Sequence, residues 1–530
     1  MHHALLVDDI VHAILTHVTS TDIFNFARTC SAVSDPALDI LWSEQSSLVP
    51  LIRCLPRDTW EVGKDNYIYL CHEPLPMEWE RIKMNASRIR RLIPNSNRTS
   101  YPKLHISVLH QLFASFPPTS IFPNLCALHF EAVSNLLECR SDLSLLRQFL
   151  SPALELLSFD VPSGVLADEL DRLVAALPEA SGLRQLSISV DPSPHGSHLT
   201  LPLQNMQKLN VLSMDGVDAC PMMHNISNLQ HLRHLHSLVL TLQEGSGGME
   251  KLPSGDMPLE LSTLKSFVLY ADRIQRCTHF LLRVVTPQLS SISIKYHKHA
   301  LQEEVREFVL SLPTYCQTFA SLEEISVGSL SAWEPHPGST LPSDIFRPLL
   351  KFRKLAIVNF IEVGRYRLDD AFIEDAAAAW ADLRELRFAS NQTDTSTVRV
   401  TLTGILSLAS RCRSLRILHL TFNATAFPTF PHAADGRPEF WPTQTALQKL
   451  HVGHSKVAAD AYVPFWLAVV FPNLGDLTWY EAPGNTMWLA LADVRKKLVI
   501  VQEVAPAMTE ASLPSYLLRS IMAEGLRVGA

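Results

Sequence analysis

From residue 120 onward the chain repeats one spacing of apolar positions: an apolar residue, two variable ones, a second apolar, one variable, a third apolar. It occurs at Leu125/Leu128/Phe130, Leu154/Leu157/Phe159, Leu183/Leu186/Ile188, Leu209/Leu212/Met214, Leu235/Leu238/Leu240, Leu264/Phe267/Leu269 and Leu289/Ile292/Ile294. It continues at Leu322/Ile325/Val327, Phe352/Leu355/Ile357, Leu383/Leu386/Phe388, Leu415/Leu418/Leu420, Leu447/Leu450/Val452 and Leu474/Leu477/Trp479. First positions follow one another at intervals of 25 to 33 residues. A short strand turns residues i and i+2 to one face, so the last two apolar positions of each copy point inward from a strand. Between the copies lie stretches at helical spacing. The clearest is Leu166, Leu170, Leu173, Val174 and Leu177, and others are Val305/Phe308/Val309/Leu312, Phe372/Ile373/Ala376/Trp380 and Ile405/Leu408/Ala409.

Thirteen copies at this period are the signature of leucine-rich repeats. Neither the strand nor the helix of one repeat can bury its apolar face alone, so neighbours must stack. The expected fold class is α/β: a curved solenoid of about 13 strand–helix repeats over residues 121–482, with a parallel sheet on the concave side. Residues 46–120 read as a helical linker and N-terminal cap. There Trp79, Ile82, Ala86, Ile89 and Ile93 predict an amphipathic helix from Met77 to Ile93, begun after Pro76 and ended by Pro94. Residues 483–530 read as a C-terminal helical cap or tail.

Residues 1–45 follow a different pattern. Leu6, Ile10, Ile14 and Val18 recur at intervals of four with Leu15 beside them, marking one helix face. Ser20-Thr21-Asp22 offers capping oxygens to a second helix with Ile23, Phe26, Ala27 and Cys30. Asp35-Pro36 opens a third, carrying Leu38, Leu41 and Trp42. Three helices in about forty residues make a module too small to stand alone.

The stretch Leu6-Val7-Asp8-Asp9-Ile10, then Ile14-Leu15, Asp22-Ile23, Arg28, Cys30 and Leu41-Trp42 resembles an F-box, with Val7 where the family usually has proline. With repeats behind it, the layout is similar to the F-box/leucine-rich-repeat proteins of mushroom-type fungi. The resemblance implies a substrate-recognition subunit of an SCF-type cullin-RING ubiquitin ligase. In it the module binds the Skp adaptor through Leu6, Val7, Ile10, Ile14, Leu15, Ile23, Phe26, Leu41 and Trp42, and the repeats hold a protein target whose identity is open. Two alternatives stand beside this: the same residues fill an internal three-helix core, or the chain is a repeat scaffold for protein partners without a ligase role.

Composition narrows the partners. Leucine supplies 80 of 530 residues and glycine only 19, and the net charge of −8 leaves no overall basic field for nucleic acid or an anionic membrane. The densest basic run, Arg88-Ile89-Arg90-Arg91, reads as the polar face of a helix. Asp8 and Asp9 fall where a secretory signal needs apolar residues. The longest apolar run, Val463 to Phe471, is interrupted by Pro464 and far short of the ~20 residues that span a bilayer. Nine cysteines without a C-x-x-C pair fit reduced thiols, and the expected location is cytoplasmic, nuclear or both. Phosphate-binding loops and the serine nucleophile turn are absent, and the histidine groups at 231–236 and 297–299 lack ligands at metal spacing. No cofactor, metal or enzyme activity is expected.

Recognition is expected on the concave face. In the last four repeats the residue between the two inward positions is Arg387, His419, His451 and Thr478, against mostly small residues earlier. With Lys354 and Lys449 nearby and Glu385 as balancing charge, Arg387, His419 and His451 are predicted to form a patch for an acidic or phosphorylated target segment, or else a plainly solvated face. The loop Thr425 to Gln444, with Phe427, Phe430, Phe440 and Trp441 among prolines, either contacts a partner or folds over the repeat edge.

Overall fold

The computed structural model describes residues 7–94, 102–130, 143–161, 167–190, 201–215, 229, 231–242, 259–315, 321–330, 340–391, 398–426, 428, 441–457 and 462–480. The expected C-terminal cap at 483–530, Leu6, and Phe427, Phe430 and Phe440 of the aromatic loop lie outside them. The chain divides into two compact units, Met1–Gly255 and Asp256–Ala530.

Unit 1 opens with helices α1 (Asp8–Leu15), α2 (Ser20–Ala27) and α3 (Ser31–Ser43). Thr19, one residue ahead of the expected capping run, caps α2: its Oγ1 accepts the Asp22 N–H at 3.3 Å. The third helix starts at Ser31, not at Pro36, which lies inside it. The missing N–H costs one helical hydrogen bond, and burial of Val33 and Ala37 on either side holds the helix through that gap. Chain leaving α3 goes directly into strand β1 (Glu44–Gln45), then through α4 (Val49–Ile52), β2 (Trp60–Val62), β3 (Tyr67–Leu70) and α5 (Pro76–Ala86) to β4 (Arg91–Leu92).

Here the structure corrects the sequence reading. The helix ends at Ala86; Ile89 is buried in the turn ahead of β4, and Leu92 belongs to the strand ladder, where it pairs with Leu128. A spacing of three fits both a helix face and the first step of the repeat motif, so the pattern alone cannot separate them. The basic run is therefore no helix face. Arg88, mostly buried, bonds through its guanidinium to Asp39 and, at 2.7 Å, to Asp35 Oδ1, both on α3. After β5 (Lys103–Leu104), which pairs with β3, come β6 (Ala127–His129), β7 (Leu156–Val161), β8 (Gln185–Val190), β9 (Val211–Asp215) and β10 (Ser237–Leu242). The parallel order in unit 1 is β1-β4-β6-β7-β8-β9-β10, so two strands precede the first predicted repeat.

Unit 2 holds β11 (Leu259–Glu260), β12 (Ser266–Ala271), β13 (Val284–Val285), β14 (Ser291–Tyr296), β15 (Glu324–Ser329), β16 (Thr340–Pro342) and β17 (Ile357–Ile361). It continues with β18 (Arg365–Arg367), β19 (Glu385–Ala389), β20 (Ile417–Leu420), β21 (Asn423–Ala424), β22 (Lys449–His451), β23 (Lys456–Val457) and β24 (Asp476–Thr478). Its main sheet is parallel in the order β12-β14-β15-β17-β19-β20-β22-β24. Along these strands buried and half-buried residues alternate, the buried set facing the helices and the other set forming an open face. One copy of the motif sits three residues later than predicted: Val358 and Phe360, not Leu355 and Ile357, pair with Ile325 and Val327. Leu355 thus takes the first position. Phe360 then stacks on Phe388 at 5.5 Å and 5°, with Phe346 5.0 Å from each.

A second, shorter parallel ladder runs along the helix starts of unit 2, through β16–β18, Asp369↔Arg399, Thr401↔Asn423 and β21–β23. Side-chain oxygens fix it. Asp369 Oδ1 accepts the Phe372 N–H to cap the helix Asp370–Ala379, and the Asp370 carboxylate accepts from Thr401 N–H at 2.7 Å and Thr401 Oγ1 at 2.6 Å. Gly404, in the next helix, lies so close that a Cβ there would be 2.5 Å from Asp370 Oδ1. Gly404→Ala is expected to lower the urea midpoint, because an overpacking cost of about 1–3 kcal/mol exceeds the ~0.5–1 kcal/mol gained from helix propensity. A midpoint equal to or above wild type would refute this account of the joint.

Candidate functional site

Two surfaces collect the residues singled out in the sequence, one in each unit. In the N-terminal module, Val11, Leu15, Ile23 and Ala37 form the core, with Phe26, Ala27, Ile40 and Leu41 packed against it. Helix α1 spends Val11 and Leu15 on that core. Its other apolar residues, Val7, Ile10 and Ile14, with Val18 just beyond, stay 39–46% exposed, and Phe24 of α2 is 52% exposed. The predicted adaptor set therefore divides: Val7, Ile10 and Ile14 face solvent, Leu15 and Ile23 are core, and Phe26, Leu41 and Trp42 are half-buried between. Isolated exposed aliphatics are ordinary, but Ile10 and Ile14 one turn apart on α1, with Val7 at its N-cap and Val18 three residues past its end, form a patch.

The second surface is the open face of unit 2. Corrected register places Asn359, Arg387, His419, His451 and Thr478 side by side on β17, β19, β20, β22 and β24, about 5 Å apart. Asn359 replaces Ala356 in this row and is 8% exposed. Lys354 falls outside it, on the exposed turn before β17, because the motif there starts at Leu355. Lys449 lies beside the row in register with Asp476.

The row carries little positive charge. Arg387 Nε lies 2.8 Å from Glu385 Oε1, and the same oxygen accepts from Asn359 Nδ2 at 2.7 Å. His419 and His451 stack at 3.8 Å, with the Tyr480 ring 5.5 and 4.5 Å from them. Burial, then neighbouring His451 and Arg387, pushes His419 down to about 3. Burial also pushes His451 down to about 4, helped by His454 and Arg387 and opposed by Asp476. His451 Nδ1 accepts the Gly453 N–H at 3.1 Å, which puts the ring proton on Nε2. The sequence marked these three residues as basic or titratable; the structure makes them two neutral imidazoles and a paired guanidinium.

Residues missed in the sequence complete the surface. Glu362 follows β17 and its Oε1 accepts the Asn391 N–H at 3.0 Å, with Tyr480 Oη 3.5 Å away. His454 shares a 3.2 Å hydrogen bond with Asn391 Oδ1 and packs on Tyr480 at 5.3 Å. Asn359 was legible had the motif been framed on Leu355; Tyr480 follows the last motif residue directly, while Glu362 and Asn391 carry no pattern at all.

A groove of about 450 Å³ beside α5, lined by Arg81, Lys83, Met84, Ser87 and Ser120 among others, contains none of the predicted site residues. Of the aromatic loop, Trp441 packs edge-on against Trp466 at 6.5 Å, and the buried Gln444 donates to the carbonyls of Cys412 and Leu415. Its described end folds onto the repeats. Among the described residues no group of three or more His, Cys, Asp or Glu is placed to hold a metal, and no helix is long and apolar enough to cross a membrane.

No family model matches the sequence, and no curated protein does. Among solved structures the chain is similar to one in the crystal structure of the Rad7 and Elc1 complex in yeast. That likeness has 14% identity and a TM-score of 0.37, covering 71% of this chain and 79% of that one. A second likeness is to the TLR13–ssRNA13 complex, at 14% identity and a TM-score of 0.27, covering 75% of this chain and 53% of the other. Both are distant in sequence and loose in superposition.

The imidazoles give the site a pH signature. They are held neutral when folded but take a proton near 6.5 when unfolded, so their contribution to stability is complete above about 6.5 and falls as pH drops from there toward 4. Glu362, raised by burial, acts in the opposite sense, one group against the histidines. Urea midpoints at pH 7, 6 and 5 should decline, and decline less in His419→Gln/His451→Gln. Equal slopes in both proteins would show that the pair does not titrate as described.

Proposed function

We propose that this chain is the target-receiving subunit of an SCF-type cullin-RING ubiquitin ligase, its N-terminal module docking on a Skp-type adaptor and its repeats holding a protein target. The observation that carries this reading is the face of α1. Val7, Ile10, Ile14 and Val18 are surplus to the module's own core, and removing their remaining exposure in an apolar groove is worth on the order of 1 kcal/mol each. The target is received on the open face of unit 2 around Arg387, His419 and His451, with Lys449 at its flank and Lys354 ahead of it.

A second reading has its own support. Pairing of β1 with β4 and the bridge from Arg88 to Asp35 and Asp39 tie the module to the sheet of unit 1, as a cap on the first strands would be tied. On that reading the chain is a repeat scaffold for protein partners, and the face of α1 plays no part.

Co-purification of the full chain with a Skp adaptor separates the two. Ile10→Asp/Ile14→Asp leaves the module core untouched and is expected to abolish adaptor capture while circular dichroism and thermal midpoint stay at wild-type values. Failure of the wild type to capture the adaptor, or equal capture by both proteins, overturns the ligase reading in favour of the scaffold.

A further inference from the structure

Among the described residues, the open face of unit 2 holds a carboxyl group, that of Glu362, with no cationic partner. Glu362 has a φ of 56°, the left-handed region that non-glycine side chains avoid, and the chain keeps a carboxylate there where glycine or asparagine is the easy choice. That conformation follows the last pairing of β17, with the Glu362 N–H bonded to Ala389 O at 2.8 Å. Its carboxyl is set against Asn391 N–H and Tyr480 Oη, beside a ring cluster of Tyr480, His451, His419 and His454. All of these partners are neutral. Among the described residues no lysine or arginine makes an ion pair with Glu362, while Arg387 is committed to Glu385 and Lys449 stands in register with Asp476. Burial without a compensating cation lifts the carboxyl above its ordinary range.

Resting on the reading that this face receives a protein target, we propose that Glu362 and the rings of Tyr480 and His451 form the seat for a basic side chain, lysine or arginine, of that target. An ammonium or guanidinium placed there meets the unpaired carboxylate on one side and electron-rich ring faces on the other. Charge complementarity favours this occupant over an acidic segment, because Arg387, the cation at the centre of the row, is already paired with Glu385 and the neighbouring imidazoles are held neutral. Neutral imidazoles are required for such a seat, since a protonated ring repels the incoming cation.

The test is selection of random heptapeptides displayed on phage by the immobilised full chain, in parallel with Glu362→Gln and Tyr480→Leu. Glu362→Gln keeps the side-chain shape and removes the charge. Wild type is expected to enrich lysine or arginine at one fixed position about tenfold over the input, with the preference lost in Glu362→Gln and reduced in Tyr480→Leu at unchanged thermal midpoints. Enrichment of acidic peptides, a basic preference retained in Glu362→Gln, or no enrichment by the wild type each overturns the proposal. Adaptor capture measured on the same preparations reads the N-terminal module and not this face: its failure with the basic preference intact strikes the ligase reading, and the converse strikes only this inference.

Discussion

Parallel pairing in a fixed register is the constraint on which the rest of this protein depends. In every repeat two apolar residues two apart must point at the helices, so a slip of one residue would turn the whole strand inside out. That requirement lines up the residues between them from strand to strand. Asn359, Arg387, His419, His451 and Thr478 become neighbours although they come from positions 359 to 478. Around Phe346, Phe360 and Phe388 the lock is aromatic: Tyr366 joins it with a ring 5.4 Å from Phe388 and an Oη that donates to Phe360 O at 2.8 Å.

Much of this architecture was legible in the leucines because burial imposes its period on the sequence. What escaped did so for physical reasons. Ile89 and Leu92 satisfy a helical spacing as well as a repeat spacing, and pairing with Leu128 decides between them. Phe352 and Leu355 are both apolar and both fully buried, so either can begin a motif, and again only the partner strand selects the frame. In the module, the apolar positions announced helices but not which of them would be used up internally. Val11 was absent from the predicted set and is core, whereas Ile10 and Ile14 are not.

The candidate site was half legible. Position told which side chains share the row; it told nothing of their charge. Arg387 and two histidines read as a basic or titratable patch in one dimension, and desolvation with an adjacent Glu385 turns them into a nearly neutral surface. Glu362 and Asn391 lie beyond strand ends, where no periodicity reaches, and matter because Tyr480 lies back toward them across the rings of His451 and His419.

The passage from α3 into β1 has one more implication. Ser43 ends the helix, Glu44 begins the strand, and Arg88 clamps the same helix to the chain just ahead of β4. A swivel needs a few residues free to change their backbone angles, and at this joint helix, strand and guanidinium bridge leave none. Whatever seats on α1 is carried by unit 1 as a fixed mount and not on a tether, so its bearing on that sheet is set when the chain folds.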